Sequence, residues 1–236
     1  MPVKAPARAP VLDVFSWTGF YIGGHVGGAW AHKDWDWLGG GGFPFGGGVT
    51  FPAPVGSHSP GGAIGGGQIG FNVQSGRWVF GVEAQASWSD LDGSHQWPNA
   101  VVPFFGSRTE IEWLGTIAGR VGYTFDRVLL FVKAGGAWTR EEYSAFRVDS
   151  GETWFTGKFT RWGWMAGTGL EWAFTNAWSA KIEYNFMDFG AKSFALPPAP
   201  GQAFPSATNV DVDQHVHVVK VGINYRFGPA AVVARY

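Results

Sequence analysis

The sequence contains no cysteine, which excludes disulfide bonds, thiolate metal sites and thiol nucleophiles. It also lacks any run of about 18 consecutive apolar residues, the length that a helix needs to cross a bilayer. Charged residues make up only 15 % of the chain and the formal net charge is -1, so no basic surface is available for nucleic acid. Leucine is scarce, which is untypical of a helical protein. Nucleic-acid binding and a helical fold are therefore set aside.

Glycine and aromatic residues are abundant: the chain has 37 glycines, and aromatic residues make up 17 % of it. Apolar residues alternate with polar or small ones, most clearly in the segment Lys220-Val221-Gly222-Ile223-Asn224-Tyr225-Arg226-Phe227. A period of two is typical of a strand that separates two environments. The same pattern recurs near residues 15–31, 63–74, 77–89, 110–125, 127–142, 159–174 and 177–189. The sequence thus predicts eight strands, each with an apolar and a polar face.

The connections between these strands are of two kinds. Those near 75–76, 126 and 175–176 are very short, whereas those near 32–62, 90–109, 143–158 and 190–212 are long and rich in Gly, Pro and Ser. Short and long connections alternate, as they do in an up-and-down barrel with tight turns on one rim and loops on the other. We therefore predict an all-β fold, an eight-stranded antiparallel transmembrane β-barrel with short periplasmic turns and four long extracellular loops.

Aromatic residues on the apolar face are often ten positions apart, as are Phe20 and Trp30, or Trp78 and Trp88. At ~3.3 Å per residue and a tilt of ~40°, ten residues rise ~25 Å, the height of the apolar band of an outer-membrane barrel. Aromatic rings with a polar edge favour the headgroup level. The predicted membrane-interface aromatics are Phe20, Trp30, Trp78, Trp88, Trp113, Tyr123, Trp138, Trp162, Trp172, Trp178, Tyr225 and Phe227.

The opening segment Phe15-Ser16-Trp17-Thr18-Gly19-Phe20-Tyr21-Ile22-Gly23-Gly24 and the ending Tyr225-Arg226-Phe227 resemble the small outer-membrane β-barrel family of alphaproteobacteria, within the OmpA-like porin-family barrels. The last strand also resembles the carboxy-terminal assembly signal of such barrels, carried here by Lys220, Gly222, Tyr225 and Phe227. The resemblance implies residence in the outer membrane of a Gram-negative cell, insertion by the barrel-assembly machinery and contact with lipopolysaccharide. It implies no enzyme activity, and no cofactor is assigned.

The resemblance covers residues 15–227, and two segments lie outside it. Residues 1–14 are expected to form an extended periplasmic tail, and residues 228–236 form a second tail past Phe227, where members of the family commonly stop. The chain begins Met1-Pro2-Val3-Lys4, without the basic-then-apolar pattern of a secretory signal. An outer-membrane location therefore implies that a signal peptide has been removed.

Charged residues of the inward face are expected to meet inside the barrel, where charges are costly unless they are paired. The predicted lumen charge network consists of Glu83, Glu112, Arg120, Lys133, Glu141, Arg161, Glu171, Lys181, Glu183, Lys220 and Arg226. We interpret it as an ion-paired plug in a structural and interaction barrel. The alternative is a narrow small-solute or ion channel, with inward glycines 23, 27, 81, 135, 167 and 169 making room.

Other polar residues suggest further alternatives. Glu110 and Glu112 are two positions apart, but carboxylates at that spacing are ordinary lumen residues, so catalysis is not predicted. His215 and His217 also share a strand face and could bind a metal or the edge of a haem. The simpler interpretation is that they are polar residues near the outer rim. A haem-binding barrel at the cell surface is therefore a second alternative function, and no metal is assigned.

Aromatic residues in the long loops exceed what solvation requires. They are Trp35, Trp37, Phe43, Phe45 and Phe51 in the first loop and Trp97, Phe104 and Phe105 in the second. We expect them to pack as a lid over the barrel mouth or to extend the outer aromatic girdle. The alternative is a contact with an envelope protein or a host surface. A homo-oligomer through lipid-facing glycines such as Gly24, Gly28 and Gly65 is a further hypothesis.

Overall fold

The structure is a computed structural model that describes residues 15–40, 50–97 and 104–227. In these ranges the chain forms nine strands, β1 Gly19–Gly40, β2 Ala53–His58, β3 Gly61–Ser75, β4 Trp78–Gln96, β5 Phe105–Phe125, β6 Val128–Arg147, β7 Thr153–Ala173, β8 Trp178–Leu196 and β9 Thr208–Phe227. None of the described segments is a helix with the length and apolarity needed to cross a membrane.

Eight of these strands close into a barrel. They pair in the order β1-β3-β4-β5-β6-β7-β8-β9, and β9 pairs with β1 to close the ring. The closing pair runs from Phe20 opposite Phe227 to Gly40 opposite Thr208. All neighbours are antiparallel, so the predicted up-and-down barrel is confirmed. The remaining strand, β2, was not predicted and pairs with the upper part of β1.

The two faces of the strands have opposite chemistry, as the alternation predicts. Between the two aromatic levels the outer face carries exposed apolar side chains, such as Val82, Ile117 and Val221, each more than half exposed. A continuous apolar surface of this kind is unfavourable in water but is the usual outside of a barrel in lipid. The inner face carries the buried polar and charged residues.

The strands continue well beyond the outer aromatic level. β4 pairs with β5 up to Gln96 opposite Gly106, and β5 pairs with β6 up to Phe105 opposite Arg147. Much of what was predicted as long loop is therefore strand, and the upper connections shorten to residues 41–52, 97–104, 148–152 and 197–207. The lower connections, 76–77, 126–127 and 174–177, are short as predicted. Both tails, residues 1–14 and 228–236, lie outside the described residues, as do Phe43 and Phe45.

A β-bulge in β5 reverses the face that its upper residues occupy. The register with β6 shifts between Ile111 and Trp113, so Glu112 is an extra residue without a partner in the ladder. Below the bulge Leu114 faces the lumen, whereas above it Ile111 does. The prediction that Glu112 belongs to the lumen charge network is therefore wrong. Its carboxylate lies outside the barrel, 2.5 Å from Lys158 Nζ.

The lumen is filled by five layers of side chains that alternate between apolar and polar. Along β6 these layers are reached in turn at Leu129, Lys133, Ala137, Glu141 and Ala145, and all five side chains are buried. We call them, from the periplasmic end, the lower apolar layer, the lower polar network, the middle apolar layer, the upper polar network and the aromatic layer. The two polar networks hold the predicted lumen charges.

Candidate functional site

The lower polar network lies at the level of the lipid-facing apolar band. Six strands each direct at least one charged side chain inward at this level, because the lumen-facing positions of adjacent strands lie side by side. Its members are Glu83, Arg120, Lys133, Glu171, Lys181, Glu183 and Lys220, all buried. Four cations thus face three carboxylates.

Glu83 and Glu183 form the centre of this network. Lys133 Nζ lies 3.0 Å from Glu83 Oε1 and 2.9 Å from Glu183 Oε1. Lys181 Nζ lies 3.0 Å from an oxygen of each of the same two carboxylates. Lys220 Nζ approaches Glu183 Oε1 at 3.1 Å. Because β4 and β8 are on opposite sides of the ring, the Glu83–Lys181 contact crosses the lumen.

A second group lies around Glu171, and it is hydrogen-bonded to the first. Arg120 Nη2 donates to Glu171 Oε2 at 2.9 Å, and Arg120 Nη1 donates to the Tyr21 hydroxyl at 3.0 Å. The Tyr21 hydroxyl in turn donates to Glu83 Oε2 at 2.8 Å. The other oxygen of Glu171 accepts from Ser179 Oγ at 2.6 Å. The two groups therefore form one connected network, which is the condition under which buried charges are tolerated.

The upper polar network lies above the outer aromatic level and is centred on Glu141. Its carboxylate pairs with Lys33 and accepts from the Tyr143 hydroxyl at 2.5 Å and from Gln214 Nε2 at 2.7 Å. Arg161 Nη1 donates to the Tyr143 hydroxyl at 3.1 Å, and its Nη2 donates to the Val212 carbonyl at 2.9 Å. This network ties β1, β6, β7 and β9 together beyond the membrane.

The structure thus divides the predicted lumen charges into separate groups. Seven of them form the lower polar network, while Glu141 and Arg161 belong to the upper one. Arg226 lies near the periplasmic end, where it donates to the Ser16 carbonyl at 2.6 Å and its guanidinium carbon lies 4.5 Å from the ring centre of Trp17. Glu112 is outside the barrel.

Sequence reasoning missed Lys33, Tyr143 and Gln214, because they lie in segments that were assigned to loops or to the loop boundary. A signal for Lys33 was present. Lys33, Trp35 and Trp37 alternate with His32, Asp34 and Asp36, which is the same period of two as in the barrel.

The predicted interface aromatics all lie on the outer face, and many pair across neighbouring strands. On the upper level Trp88 and Trp113 have ring centres 4.7 Å apart, and Trp138 and Trp162 5.6 Å apart. The lower level includes the pairs Phe20 with Phe227, Trp78 with Tyr123 and Trp178 with Tyr225, and also Trp172. Trp30 belongs to the upper level. Two levels of rings fit the two membrane interfaces, and their anchoring role remains a prediction.

The inward glycines do not enlarge the lumen. A Cβ atom on Gly27 would lie 2.2 Å from the Val219 carbonyl oxygen, and one on Gly135 would lie 2.0 Å from the Ile117 carbonyl oxygen. The space that a side chain would need is occupied by atoms of the adjacent strand, which are backbone atoms at Gly27 and Gly135 and an asparagine side chain at Gly81 and Gly167. The expectation that these glycines make room for a conduction path is therefore wrong. They permit close approach of neighbouring strands instead.

The aromatic residues predicted for the loops mostly pack inward. Trp35, Trp37, Trp97 and Phe105 are buried in the aromatic layer, which is also lined by Val55 of β2. The expectation that they pack over the barrel mouth agrees with this arrangement. Phe51 and Phe104 are exposed instead.

Two imidazoles join β2 to the barrel wall. His58 Nδ1 of β2 lies 2.8 Å from His95 Nδ1 of β4, and His58 Nε2 lies 3.2 Å from Thr109 Oγ1 of β5. Burial, with His95 and Lys33 nearby, lowers the pKa of His58 to about 3. Burial also lowers the pKa of His95, against the effect of its hydrogen bond to the Val55 carbonyl. The His58 ring is therefore neutral at neutral pH.

His215 and His217 lie on the outer face of β9. His217 stacks on Trp30, with ring centres 5.6 Å apart, and its Nδ1 lies 2.7 Å from the Tyr184 hydroxyl. This places it at the upper aromatic level, in agreement with the simpler interpretation made from the sequence. His215 lies one position higher on the same face, with its Nδ1 3.7 Å from Asp188 Oδ1.

Residues 5–227 match the family model described as outer membrane protein beta-barrel domain. The chain is 32 % identical to the 31 kDa outer-membrane immunogenic protein of Brucella melitensis, over 95 % of this chain and 89 % of that protein. It is 30 % identical to a 22 kDa outer membrane protein of Rhizobium leguminosarum, over 80 % of this chain and 72 % of that one. A similar solved structure is the outer membrane protein OprG from Pseudomonas aeruginosa, with a TM-score of 0.45 and 13 % identity over 89 % and 97 % of the two chains.

Proposed function

This chain belongs to the outer membrane protein β-barrel domain family and resides in the outer membrane, and from that premise we propose that it is a non-enzymatic structural barrel. Its interior is closed to solutes by paired charges, and its outer face contacts lipopolysaccharide. The main observation in support of a closed interior is the Glu83–Lys181 contact of 3.0 Å, which joins opposite walls of the barrel.

Packing above this contact supports a closed interior. The middle apolar layer fills the lumen above it with side chains such as Leu114, Met165 and Val218, all buried. An interior cavity between Gln85 and Lys220 has a volume of about 10 Å³, room for one water molecule at most. A hydrated ion needs a wider, continuous path, so the channel alternative has no support in the described part of the lumen.

The same packing supports the absence of catalysis. Among the described residues, the nearest approach to a catalytic arrangement is His25, whose Nε2 lies 2.7 Å from Ser87 Oγ. Its Nδ1 contacts the amide oxygen of Gln68 in place of a carboxylate. All three side chains are buried inside the membrane-spanning part, so no substrate can reach the serine. A buried hydrogen-bond chain in the lumen accounts for this group.

Single-channel recording in a planar bilayer tests the closed interior. Refolded protein, checked for a heat-modifiable band on a gel, is expected to give no stable conductance steps. The Glu83→Gln variant removes one charge from the crossing contact and is the matched comparison. Stable steps in the wild-type protein whose size changes in Glu83→Gln would contradict the proposal.

Lipopolysaccharide contact is supported by basic residues just above the upper aromatic level. Arg108, Arg140 and Lys158 lie on the outer faces of β5, β6 and β7, beyond the ring pair Trp138 and Trp162. Cationic side chains at that height face the phosphorylated headgroups of the outer leaflet.

Binding of lipopolysaccharide to the protein in neutral detergent tests this contact. The double variant Arg140→Gln/Lys158→Gln is expected to bind more weakly than wild type. Arg77→Gln is the control, because Arg77 is an exposed base at the opposite, periplasmic rim, where it donates to the Tyr123 hydroxyl. Equal binding by wild type and the double variant would refute the contact through these residues.

A further inference from the structure

An outward-facing patch on β8, β9 and β1 collects metal-ligating side chains just above the upper aromatic level. The strand register places Asp188 opposite His215, and His215 opposite His32. One outward position higher, Asp213 lies opposite Asp34. One position below His215, His217 stacks on Trp30 and marks the edge of the apolar band.

The charges of this patch repel one another unless a cation is bound. Asp213 faces Asp34, and at the next outward position Asp211 faces Asp36, so like charges are directly opposite at two consecutive levels. Such pairs destabilise a sheet. The nearby base Lys192 donates to the Trp162 carbonyl and forms no ion pair with them among the described residues.

The other side of the barrel shows the usual solution. There, Glu112 and Glu142 both contact Lys158, at 2.5 and 3.3 Å, and Glu110 contacts Arg108 at 3.1 Å. The acids of the β5–β7 side are thus neutralised by cross-strand bases. In the β8–β9–β1 patch the bases beside the acids are imidazoles: His32 Nε2 lies 3.5 Å from Asp34 Oδ1, and His215 Nδ1 lies 3.7 Å from Asp188 Oδ1. Among the described residues no lysine or arginine pairs with these acids, which indicates a cation from outside the chain.

Three side chains of the patch converge closely enough to share one ion. Asp188, Asp213 and His215 each offer a ligand atom, and these atoms all lie within 4.8 Å of one another. Metal–ligand bonds of ~2.0–2.2 Å bring the ligand atoms of one ion slightly closer together than this limit, so small side-chain movements complete the site. Asp213 Oδ1 and His215 Nδ1 are both shielded from solvent and have no hydrogen-bond partner. Two buried polar atoms left without a partner need an explanation, and a shared ion supplies it.

Local structure holds these ligands in place. A β-bulge shifts the register of β8 and β9 between Asp188 and Gly190, and the Gly190 amide donates to Asp188 Oδ1 at 2.8 Å. Beyond the bulge Asp213 has the small residue Ala191 opposite it, which leaves space above Asp188. The ring of Phe186 stacks beside His215 with centres 6.1 Å apart. Bulges commonly redirect a side chain next to a site, and an apolar ring limits access of water.

We propose that Asp188, Asp213 and His215 bind one divalent transition-metal ion, such as Zn²⁺ or Mn²⁺, at the level of the outer headgroups. One imidazole with two carboxylates favours such ions over Mg²⁺ and Ca²⁺, which prefer oxygen ligands alone. Three protein ligands leave coordination positions open to water or to a lipid phosphate. The bound ion offsets the charges of Asp188 and Asp213, which relieves the repulsion between Asp213 and Asp34, and it links the protein to the anionic leaflet.

Calorimetric titration of Zn²⁺ and Mn²⁺ into untagged protein in a phosphate-free, neutral detergent tests the site. Wild type is expected to bind one ion, and His215→Gln and Asp213→Asn are each expected to lose affinity by about tenfold or more. Asp211→Asn is the matched control, because it removes the same charge from the same strand face one position away. Its affinity is expected to match wild type. All variants are checked for the heat-modifiable band, and their side chains lie on the outer face, away from the packed lumen.

A second pair of variants separates this site from the imidazoles at the barrel mouth. His58→Phe removes the His58–His95 pair and is expected to keep wild-type affinity. Retention of the affinity in His215→Gln together with its loss in His58→Phe would overturn the proposal, as would absence of binding in wild type. Addition of lipopolysaccharide or of inorganic phosphate to the metal-loaded protein then shows which phosphate source occupies the open positions.

Discussion

Lys33 and Glu141 form a fully buried ion pair that crosses the barrel between β1 and β6, strands on opposite sides of the ring. The pair lies above the upper aromatic level, so the barrel keeps a packed interior beyond the membrane. Below it, the Glu83–Lys181 contact crosses the lumen in the same way. Each polar network therefore braces the barrel across its width, between the apolar layers that fill the rest of the lumen.

The first prediction concerns this upper pair. Lys33→Met leaves the Glu141 charge buried without its counter-ion, and we expect the free energy of unfolding to fall by about 3–5 kcal/mol. The measurement is urea unfolding of the refolded protein in detergent. The double variant Lys33→Met/Glu141→Gln is expected to lose less than the sum of the two single variants, because it buries no unpaired charge.

The exposed pair of Lys158 and Glu112 is the control for that experiment. Lys158 is about half exposed, so Lys158→Met is expected to change the free energy of unfolding by about 1 kcal/mol or less. A Lys33→Met variant as stable as Lys158→Met would show that the crossing pair does not brace the barrel.

The second prediction uses two adjacent glycines with opposite surroundings. Gly135 faces the lumen, where a Cβ would lie 2.0 Å from the Ile117 carbonyl oxygen, while Gly136 faces lipid with nothing within 4 Å of its Cβ position. Gly135→Ala is expected to lower the free energy of unfolding by about 1–3 kcal/mol, because the neighbouring strand must move. Gly136→Ala is expected to stay within about 0.5 kcal/mol of wild type. A Gly135→Ala variant as stable as Gly136→Ala would mean that the neighbouring strand leaves room for a side chain at position 135.

The third prediction concerns Trp17, the centre of the lower apolar layer. Its ring is fully buried, and its indole N–H donates to Thr124 Oγ1 at 2.9 Å. Trp17→Ala is expected to lower the free energy of unfolding by about 3–5 kcal/mol because it leaves a cavity. Trp17→Phe keeps most of the packing and loses the hydrogen bond, so a cost of about 1 kcal/mol is expected. A large loss in both variants would indicate that the hydrogen bond dominates over the packing.

The barrel could be predicted from the sequence because lipid imposes a strict period of two on the spanning part of each strand. Residues such as Trp78, Phe80 and Val82 face lipid, while Gly81 and Glu83 face the lumen, and no competing pattern interrupts them. Above the membrane the outer face is in water, so the apolar–polar contrast weakens. In β1 the buried residues Lys33, Trp35 and Trp37 are flanked by polar ones, and this segment was predicted as loop.

Bulges and β2 were beyond what periodicity can predict. The extra residue Glu112 depends on how the upper part of β5 pairs with β6, far from the turn that joins them, and no local signal in the sequence marks it. β2 is short and contains Pro54 and Gly56, residue types that favour turns and edges over strand interiors. The metal-ligating patch was missed in part for the same reason, because Asp188, Asp213 and His215 meet only through the β8–β9 pairing.

The fourth prediction is a dependence of β2 on pH through the two imidazoles that hold it. The Val55 carbonyl only accepts, so His95 Nε2, 3.1 Å away, must carry a proton. His95 Nδ1 is then the acceptor for His58 Nδ1–H, and His58 Nε2 accepts from the Thr109 hydroxyl. His58 Nε2 is therefore the nitrogen that an added proton must occupy, and burial of the charged ring near Lys33 makes that protonation unfavourable. After His95, Lys33 and His32 of β1 are the other basic groups that lower the pKa of His58.

The sign follows from the lowered pKa values. The pKa of His58 is about 3 in the folded protein, below the ordinary value of about 6.5 that it regains when β2 detaches. Between pH ~3 and pH ~6.5 the state with β2 detached therefore binds more protons than the docked state. Docking of β2 is fully stable above pH ~6.5 and weakens progressively as the pH falls toward 3. Amide hydrogen exchange of Ala53–His58, corrected for intrinsic rates, is expected to show less protection at pH 5 than at pH 7.5. The His58→Phe variant is expected to remove this difference. The control variant His32→Gln, which changes an exposed histidine, is expected to keep it. If β2 is equally protected at both pH values in wild type, the imidazole pair does not control its docking.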